Sequence, residues 1–239
     1  MDTNLVKSAV EQFLKRNRQG LYDLSTNQSK ALELAATVAT AEHYRSRKYE
    51  VKIANPPAAK GVFAVKTSTR GHPWNFTRIQ IARDATEFEI HSNLVVRSAH
   101  DPGRYCVDVG IVNGGAVPTS QPPGAWDCVE NNQLITFVEV KKLVVYPMLL
   151  AQFVGIVHEI KPHFIGKAVP TWFVKQDHLK PALASLGNFS GNSSTIVHAY
   201  AGRRISITVA QSFDIRLAKA KAKEILSPFD EPESATIEI

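Results

Sequence analysis

The chain has 239 residues, of which 44% are hydrophobic and 21% charged, and its 28 Lys and Arg residues exceed its 22 Asp and Glu residues to give a net charge of +6. This composition is that of a globular protein with one sizeable core or two small ones, and its basic balance favours a polyanion or an acidic partner. Two cysteines exclude a disulfide scaffold, and the longest apolar run, residues 143–157, is too short and too interrupted for a membrane helix, so we expect a cytoplasmic protein without a membrane partner.

Two helices are predicted before the first strand. Thr3 or Asn4 can cap the first helix, whose apolar residues recur at helical spacing. Ser25 or Ser29 opens a second, alanine-rich helix with apolar residues that can pack on a sheet. A strand over residues 49–53 follows this helix.

The middle of the chain is predicted to form strands followed by a helix. Apolar and β-branched residues between turns that contain Gly, Pro or polar residues mark five strands. These are GVFAVKT, FTRIQIA, EFEIHSNLVV, RYCVDVGIV and LITFVEV. PMLLAQFVGIVHEI then predicts a helix with Pro147 in its first turn, where the missing N–H costs little. A run of strands between helices predicts an α/β fold.

The last part of the chain has less regular patterns. Residues 195–199 and 204–210 predict a late hairpin, and residues 213–226 predict a final helix. The acidic C-terminal segment predicts a flexible tail. We therefore divide the chain into a helical N-terminal extension, an α/β domain and the tail. Their boundaries are residues 1–27, 28–227 and 228–239.

Three charged residues lie within the most apolar strands. Asp108 is surrounded by valines, and Glu139 and Lys141 occupy the strand LITFVEV and the position after it. Because side chains alternate along a strand, Glu139 and Lys141 share one face. A carboxylate in such surroundings is costly unless it is paired, bound to a metal ion or at the open end of its strand. The residues therefore predict one of two arrangements. The first is a Mg²⁺ site whose lysine orients or polarises the attacking water, and the second is a structural ion network.

The order of these residues resembles the PD-(D/E)XK nuclease superfamily. Asp108 on one strand is followed, after 30 intervening residues, by Glu139-Val140-Lys141 on the next, with a helix before the sheet and another after it. The resemblance covers about residues 28–160 and implies a restriction-endonuclease-like fold, in which a mixed central sheet is flanked by helices. It further implies that Asp108, Glu139 and the Val140 carbonyl bind Mg²⁺ or Mn²⁺, and that Lys141 is the catalytic lysine.

The same resemblance implies additional site residues. Gln152 resembles the glutamine that several nuclease families carry in this helix, although backbone or water could satisfy it equally well. A further acid in the superfamily often comes from the first helix or a nearby strand, and the candidates are Glu42 and Glu89. Glu89 alternates with apolar residues, so a solvated strand face is the alternative interpretation for it.

Nucleic-acid contacts are predicted in a loop over residues 69–78. This loop interleaves basic and aromatic side chains, which can grip phosphates and stack a base, unless it is a surface turn pinned by its tryptophan. The candidates are Arg70, His72, Trp74 and Arg78. Lys142 is a further candidate phosphate contact or a structural residue. The histidines and cysteines show no spacing typical of a zinc site.

Together these residues predict a Mg²⁺-dependent endonuclease that acts on DNA rather than RNA, by in-line attack of water on a phosphodiester. By analogy with nucleases of this fold, a role in bacterial defence or restriction and a homodimeric state are expected. The alternative is a non-catalytic nucleic-acid- or protein-binding module that retains a nuclease-like fold. A third interpretation is a structural subunit whose buried charges fix the geometry of the core.

Overall fold

An eight-stranded mixed sheet forms the centre of the protein. The structure, a computed structural model, describes most of the chain. The described residues are 3–17, 20–21, 28–213, 220–221, 224–225, 229 and 236–238. None of the helices in these ranges combines the length and the apolarity that a membrane crossing requires.

The described residues form five α-helices and twelve strands. The helices are α1 (Thr3–Arg16), α2 (Gln28–Ser46), α3 (Pro147–Ile160), α4 (Thr171–Lys175) and α5 (Ser193–Gly202). The first six strands are β1 (Gly20–Leu21), β2 (Glu50–Ala54), β3 (Val62–Phe63), β4 (Arg78–Arg83), β5 (Thr86–Arg97) and β6 (Arg104–Asn113). The others are β7 (Leu134–Lys141), β8 (Ala182–Ser185), β9 (Thr208–Ala210), β10 (Ala220–Lys221), β11 (Glu224–Ile225) and β12 (Thr236–Glu238).

The sheet combines an antiparallel half and a parallel half. Its strand order is β12-β9-β8-β7-β6-β5-β4-β2. Neighbours from β2 to β7 are antiparallel, β7, β8 and β9 are parallel, and β12 is antiparallel to β9. Because parallel strands need a long crossover, α3 lies between β7 and β8 in the chain, and α5 lies between β8 and β9. The predicted α/β class and helix-flanked mixed sheet are confirmed.

Helices α2 and α3 cover opposite faces of this sheet. The hydroxyl oxygens of Thr37 in α2 and Ser92 in β5 are 3.0 Å apart. The strand registers place Ser92 on the same face as Val138. Phe137 precedes Val138 and therefore points to the other face, where its ring centroid lies 5.9 Å from that of Phe153 in α3.

Helix α2 is buried along most of its length because α1 packs on its outer side. Phe13 and Leu14 of α1 are buried, and the guanidinium carbon of Arg45 in α2 lies 5.4 Å from the centroid of the Phe13 ring. The predicted N-terminal extension, residues 1–27, therefore contributes α1 to the main hydrophobic core.

A buried histidine joins α2 to the segment after α4. The Nδ1 atom of His178 lies 3.2 Å from the Tyr44 hydroxyl, and its Nε2 atom lies 2.8 Å from the side-chain oxygen of Gln176. Burial, with a further contribution from the Arg83 charge, lowers the pKa of His178 to about 4. The ring is therefore neutral in the folded protein near pH 7.

We expect this histidine to make the fold sensitive to acid. An unfolded histidine has a pKa of about 6.5, so the unfolded state binds a proton before folded His178 does as the pH falls. The contribution is complete above about pH 6.5, and about 3 kcal/mol is lost on the way down to about pH 4. Urea unfolding near both pH values measures the loss. His178→Gln should lose less, and an equal loss in that variant would contradict the prediction.

Most strand and helix predictions up to residue 160 are confirmed, with one strand shorter than predicted, but the later hairpin and final helix are wrong. GVFAVKT forms only the short strand β3, which pairs with β1. The predicted hairpin at 195–199 and 204–210 is wrong, because the first segment lies in α5 and β9 pairs in parallel with β8. Val197 and Tyr200 are both buried at a spacing of three, which is helical spacing.

The C-terminal predictions are also corrected where the structure describes them. Strands β10 and β11 form an antiparallel pair inside the predicted helix 213–226, whose residues 214–219, 222–223 and 226 lie outside the described residues. Strand β12 pairs with β9 and Phe229 is buried, so these parts of 228–239 do not form a free tail. The strand β12 covers what would otherwise be an exposed sheet edge. The remaining tail residues lie outside the described residues.

Candidate metal centre

Asp108 and Glu139 meet where strands β6 and β7 separate. The ladder between these strands has Val109 opposite Val138, and the same register places Asp108 opposite Glu139 on one face. Here Oδ2 of Asp108 accepts the backbone N–H of Val140 at 2.7 Å. Past this point β6 continues alongside β5, and β7 continues alongside β8. The two carboxylates therefore lie at the mouth of a gap between neighbouring strands.

Lys141 brings a positive charge to both acids. Its Nζ lies 2.8 Å from Oε2 of Glu139 and 3.6 Å from Oδ2 of Asp108. Burial lowers the pKa of Lys141, but the two carboxylates outweigh this effect and hold the pKa above its ordinary value. The side chains of Glu139, Asp108 and Lys141 are 5%, 19% and 35% exposed, so the group extends from the core to solvent.

The surroundings of Glu139 disfavour its ionised form. Its pKa is raised to about 7, first by burial and then by the Asp108 carboxylate, against the opposing effect of Lys141. Its Oε1 atom is buried and accepts no hydrogen bond from any residue that the structure describes. A buried acceptor without a donor costs about 1–3 kcal/mol. This oxygen is therefore well suited to bind a cation.

The backbone of β7 adds a further oxygen. The Lys141 carbonyl accepts the Leu186 N–H at 3.0 Å on the β8 side of the strand. Successive carbonyls of an extended strand point to opposite sides, so the carbonyl of Val140 is directed towards β6, where Asp108 lies.

Glu33 is a third acid at the same place, and the sequence analysis missed it. Its Oε2 accepts a hydrogen bond from Nδ2 of Asn93 at 2.8 Å. Burial raises the pKa of Glu33, the Asn93 hydrogen bond lowers it, and the charges of Asp108 and Lys141 act on it in opposite directions. Glu33 therefore lies within electrostatic range of Asp108 and Lys141, while its ligand oxygens and those of Asp108 and Glu139 do not all lie within 4.8 Å of one another.

A pattern in α2 could have identified Glu33. Residues 33, 37, 40 and 44 recur at helical spacing, and Thr37 and Tyr44 are the residues that contact β5. Glu33 is the first position of that sheet-facing stripe. Glu42 lies nine positions later, about half a turn round the helix, and therefore faces α1.

The two acids predicted as additional site residues are bound elsewhere. Glu42 pairs with Arg45 at 2.6 Å and with Arg16 at 3.6 Å. Glu89 pairs with Arg78 at 2.9 Å and with His91 at 3.0 Å. Glu89 is buried, so the solvated-face interpretation is wrong as well. Neither acid is brought to Asp108 by the structure.

Gln152 and Lys142 are exposed. Gln152 precedes the buried Phe153, and within the described ranges no hydrogen bond joins it to Asp108, Glu139 or Lys141. Lys142 follows the end of β7 and is open to solvent.

In the 69–78 loop, two of the predicted contact residues are exposed and two are held by contacts within the protein. Trp74 is buried, with its ring stacked on His72 at 4.3 Å between centroids and packed edge-on against Trp126 at 5.6 Å. Arg78 is held by its ion pair with Glu89. Arg70 and His72 are exposed, although one face of the His72 ring is covered by Trp74. The surface-turn interpretation, with Trp74 as its anchor, describes the loop better than base stacking by Trp74.

A separate group of metal-ligating side chains lies at the end of α3. His100, His158 and Glu159 offer ligand atoms within 4.8 Å of one another. The two imidazole rings stack with centroids 4.7 Å apart, and Nε2 of His100 lies 3.0 Å from the His158 carbonyl oxygen. These histidines are 58 positions apart, so no local spacing could indicate their contact. The stacking and the hydrogen bond account for the arrangement without an ion.

Comparisons of the chain with protein-family models, with curated proteins and with solved structures found no match.

Proposed function

We propose that this protein is a Mg²⁺-dependent nuclease that hydrolyses phosphodiester bonds, with DNA as its substrate. The observation that carries the proposal is the meeting of Asp108, Glu139 and Lys141 at the gap between β6 and β7, with a buried oxygen of Glu139 left without a donor. The net charge of +6 supports a polyanionic substrate.

The oxygen atoms at the gap fit a hard divalent cation. Asp108, Glu139 and the Val140 carbonyl would hold Mg²⁺ or Mn²⁺, which prefer carboxylate and carbonyl oxygens. Glu33 adds a further negative charge near this group. When bound, the ion would make coordinated water more acidic and offset negative charge on the phosphate.

Asp108, Glu139 and Lys141 would have separate roles in the reaction. Asp108 is held in place by the Val140 N–H, and Glu139 is fixed by burial and by Lys141. Lys141 keeps its proton in this environment, so its ammonium group can orient the attacking water or stabilise charge on the transferred phosphoryl group. Each role uses a group whose position is set by the strand backbone.

A purely structural ion network explains the group less well. Asp108 and Glu139 lie against one lysine and the charge of Glu33 acts on the same group, so the described cluster carries excess negative charge when all three acids are ionised. In addition, Oε1 of Glu139 is buried without a described donor, which lowers the stability of such a network. A divalent cation would correct both the charge and the missing partner.

We expect nucleic-acid cleavage to require a divalent metal ion. The purified protein should nick or linearise a supercoiled plasmid with Mg²⁺ or Mn²⁺, and EDTA should abolish the reaction. Ca²⁺ should support binding with much slower cleavage, since it takes a looser coordination geometry. Agarose-gel analysis of the plasmid measures the outcome. Binding without cleavage in every metal would instead favour the non-catalytic module.

A further inference from the structure

A cavity of about 270 Å³ lies beside the candidate metal centre. Its walls come from the 66–73 segment, the end of β5, the start of β6 and the loop before β7. Its polar and aromatic lining includes Thr69, Asp127 and four larger side chains. The four larger ones are Lys66, His72, Arg104 and Trp126. Its volume is slightly below that of typical ligand pockets, which begin at about 300 Å³.

Lys66 is a buried cation without a carboxylate partner among the described residues. It is 3% exposed, and its Nζ donates to the carbonyl oxygens of Ser68 at 2.9 Å and Asn93 at 2.6 Å. An ammonium group has three N–H donors, so one donor remains after these two bonds. Burial lowers the pKa of Lys66, as expected where no anion compensates the charge. Such a group is ready to donate to an oxygen atom that enters the cavity.

Asn93 connects this cavity to the acids. Its side-chain Nδ2 donates to Oε2 of Glu33 at 2.8 Å and to the Lys66 carbonyl at 2.9 Å. Its φ is +48°, in the left-handed region, although it lies within strand β5. Backbone strain of this kind costs about 1–3 kcal/mol and persists where surrounding contacts enforce it. One residue therefore fixes the wall of the cavity and the third acid relative to each other.

The wall of the cavity includes the strand that carries Asp108. Arg104, in its wall, precedes Asp108 by four positions on β6, which is about 13 Å along a strand. Leu94, also in the wall, directly follows Asn93. The cavity and the acid cluster are thus neighbouring parts of one surface.

The walls can contact both parts of a nucleotide. Trp126 is partly exposed, and its contact with Trp74 is edge-on, at 5.6 Å between centroids. Arg104 is exposed and lies 3.3 Å from Asp127 at the rim. Indole rings stack on any base, and guanidinium groups bind phosphate oxygens.

We propose that this cavity binds one unstacked nucleotide of the substrate strand near the scissile phosphate, with Lys66 donating to one of its oxygens and Trp126 contacting its base. The location of the scissile phosphate rests on the proposed nuclease function. A nucleotide can enter such a cavity only after leaving the double helix. The protein therefore prefers single-stranded or locally opened nucleic acid to intact duplex.

Binding without cleavage tests this inference. A fluorescein-labelled single-stranded oligonucleotide and its matched duplex are titrated with protein in Ca²⁺ buffer, and anisotropy gives Kd. We expect tighter binding of the single strand, and at least about fivefold weaker binding for Trp126→Leu and Arg104→Ala. Matched controls are Trp172→Leu and Arg203→Ala, exposed residues outside the cavity, which should change Kd less than about twofold.

Lys66→Met removes the buried cation and supplies a second test. A thermal melt shows whether this variant folds, and the folded variant should bind the single strand more weakly by a similar factor. Wild-type affinity in Trp126→Leu and Arg104→Ala would overturn the inference, as would preferred binding of the duplex. If these variants bind normally while the wild type cleaves with Mg²⁺, only the cavity assignment fails. If they bind weakly while no metal supports cleavage, the cavity assignment stands and the proposed catalysis fails.

Discussion

The Glu139→Gln variant is expected to lose metal-dependent cleavage by at least about a hundredfold while its fold remains intact. Glutamine has the same shape as glutamate but lacks the charge that would hold a divalent cation. Changes in the shell around a metal ion already cost about 10–100-fold, and loss of a direct ligand should cost more. Rates of plasmid nicking at saturating Mg²⁺ measure the effect.

The stability of this variant should be unchanged or higher. Burial and Asp108 raise the pKa of Glu139 to about 7, which means that folding disfavours the ionised form of this side chain. A neutral amide removes that disadvantage, and the partly exposed Lys141 can turn to solvent when its partner is lost. Thermal unfolding of the protein without added metal compares the two forms.

A matched control separates charge at the site from charge in general. Glu50 is an exposed acid on the edge strand β2, where it pairs with Lys52, and Glu50→Gln makes the same chemical change. This control should cleave like the wild type. Full activity in Glu139→Gln would remove the basis for the metal site.

Local periodicity was sufficient to predict much of the α/β domain. The apolar residues on both sides of Asp108 and Glu139 marked buried strands, and the apolar run that begins at Pro147 marked α3. The failures came where long-range pairing decides structure. Strand β12 has three residues and forms because β9 offers an unpaired edge, which local sequence does not record.

The candidate site shows the same division between local and long-range information. Glu139 and Lys141 share a face because of their spacing, and the structure brings Asp108 to them through the register of β6 and β7. Choosing among the acids of other elements required the packing of α2 on β5. The sequence analysis selected Glu42 and Glu89, whose basic partners lie on α1, α2, β4 and β5.

The buried polar residues near the site were the hardest to predict. Lys66 lies in a segment expected to be a strand, and its charge faces two backbone carbonyls rather than an acid. The left-handed conformation of Asn93 inside β5 was also not predicted, because the sequence indicates an uninterrupted strand from Glu87 to Val96. Both features depend on contacts between segments far apart in the chain.

Two glutamates on α2 should respond in opposite ways to the same substitution. Glu33→Gln is expected to reduce cleavage by about 10–100-fold, because it removes a carboxylate beside Asp108 without breaking the hydrogen bond that Asn93 donates. Its stability should be retained, since burial raises the pKa of Glu33 and the amide has no charge to bury. Nicking rates and thermal unfolding are measured on the same preparation.

Glu42→Gln should instead lower stability and leave cleavage largely intact. The Glu42 side chain is fully buried and lies 2.6 Å from Arg45, so the substitution weakens a charge-assisted bond in the contact between α1 and α2. A loss of about 1–3 kcal/mol is expected in urea unfolding. If Glu33→Gln cleaved as well as Glu42→Gln, Glu33 would not be part of the site. A larger loss of activity in Glu42→Gln at full stability would restore the acid that the sequence analysis selected on this helix.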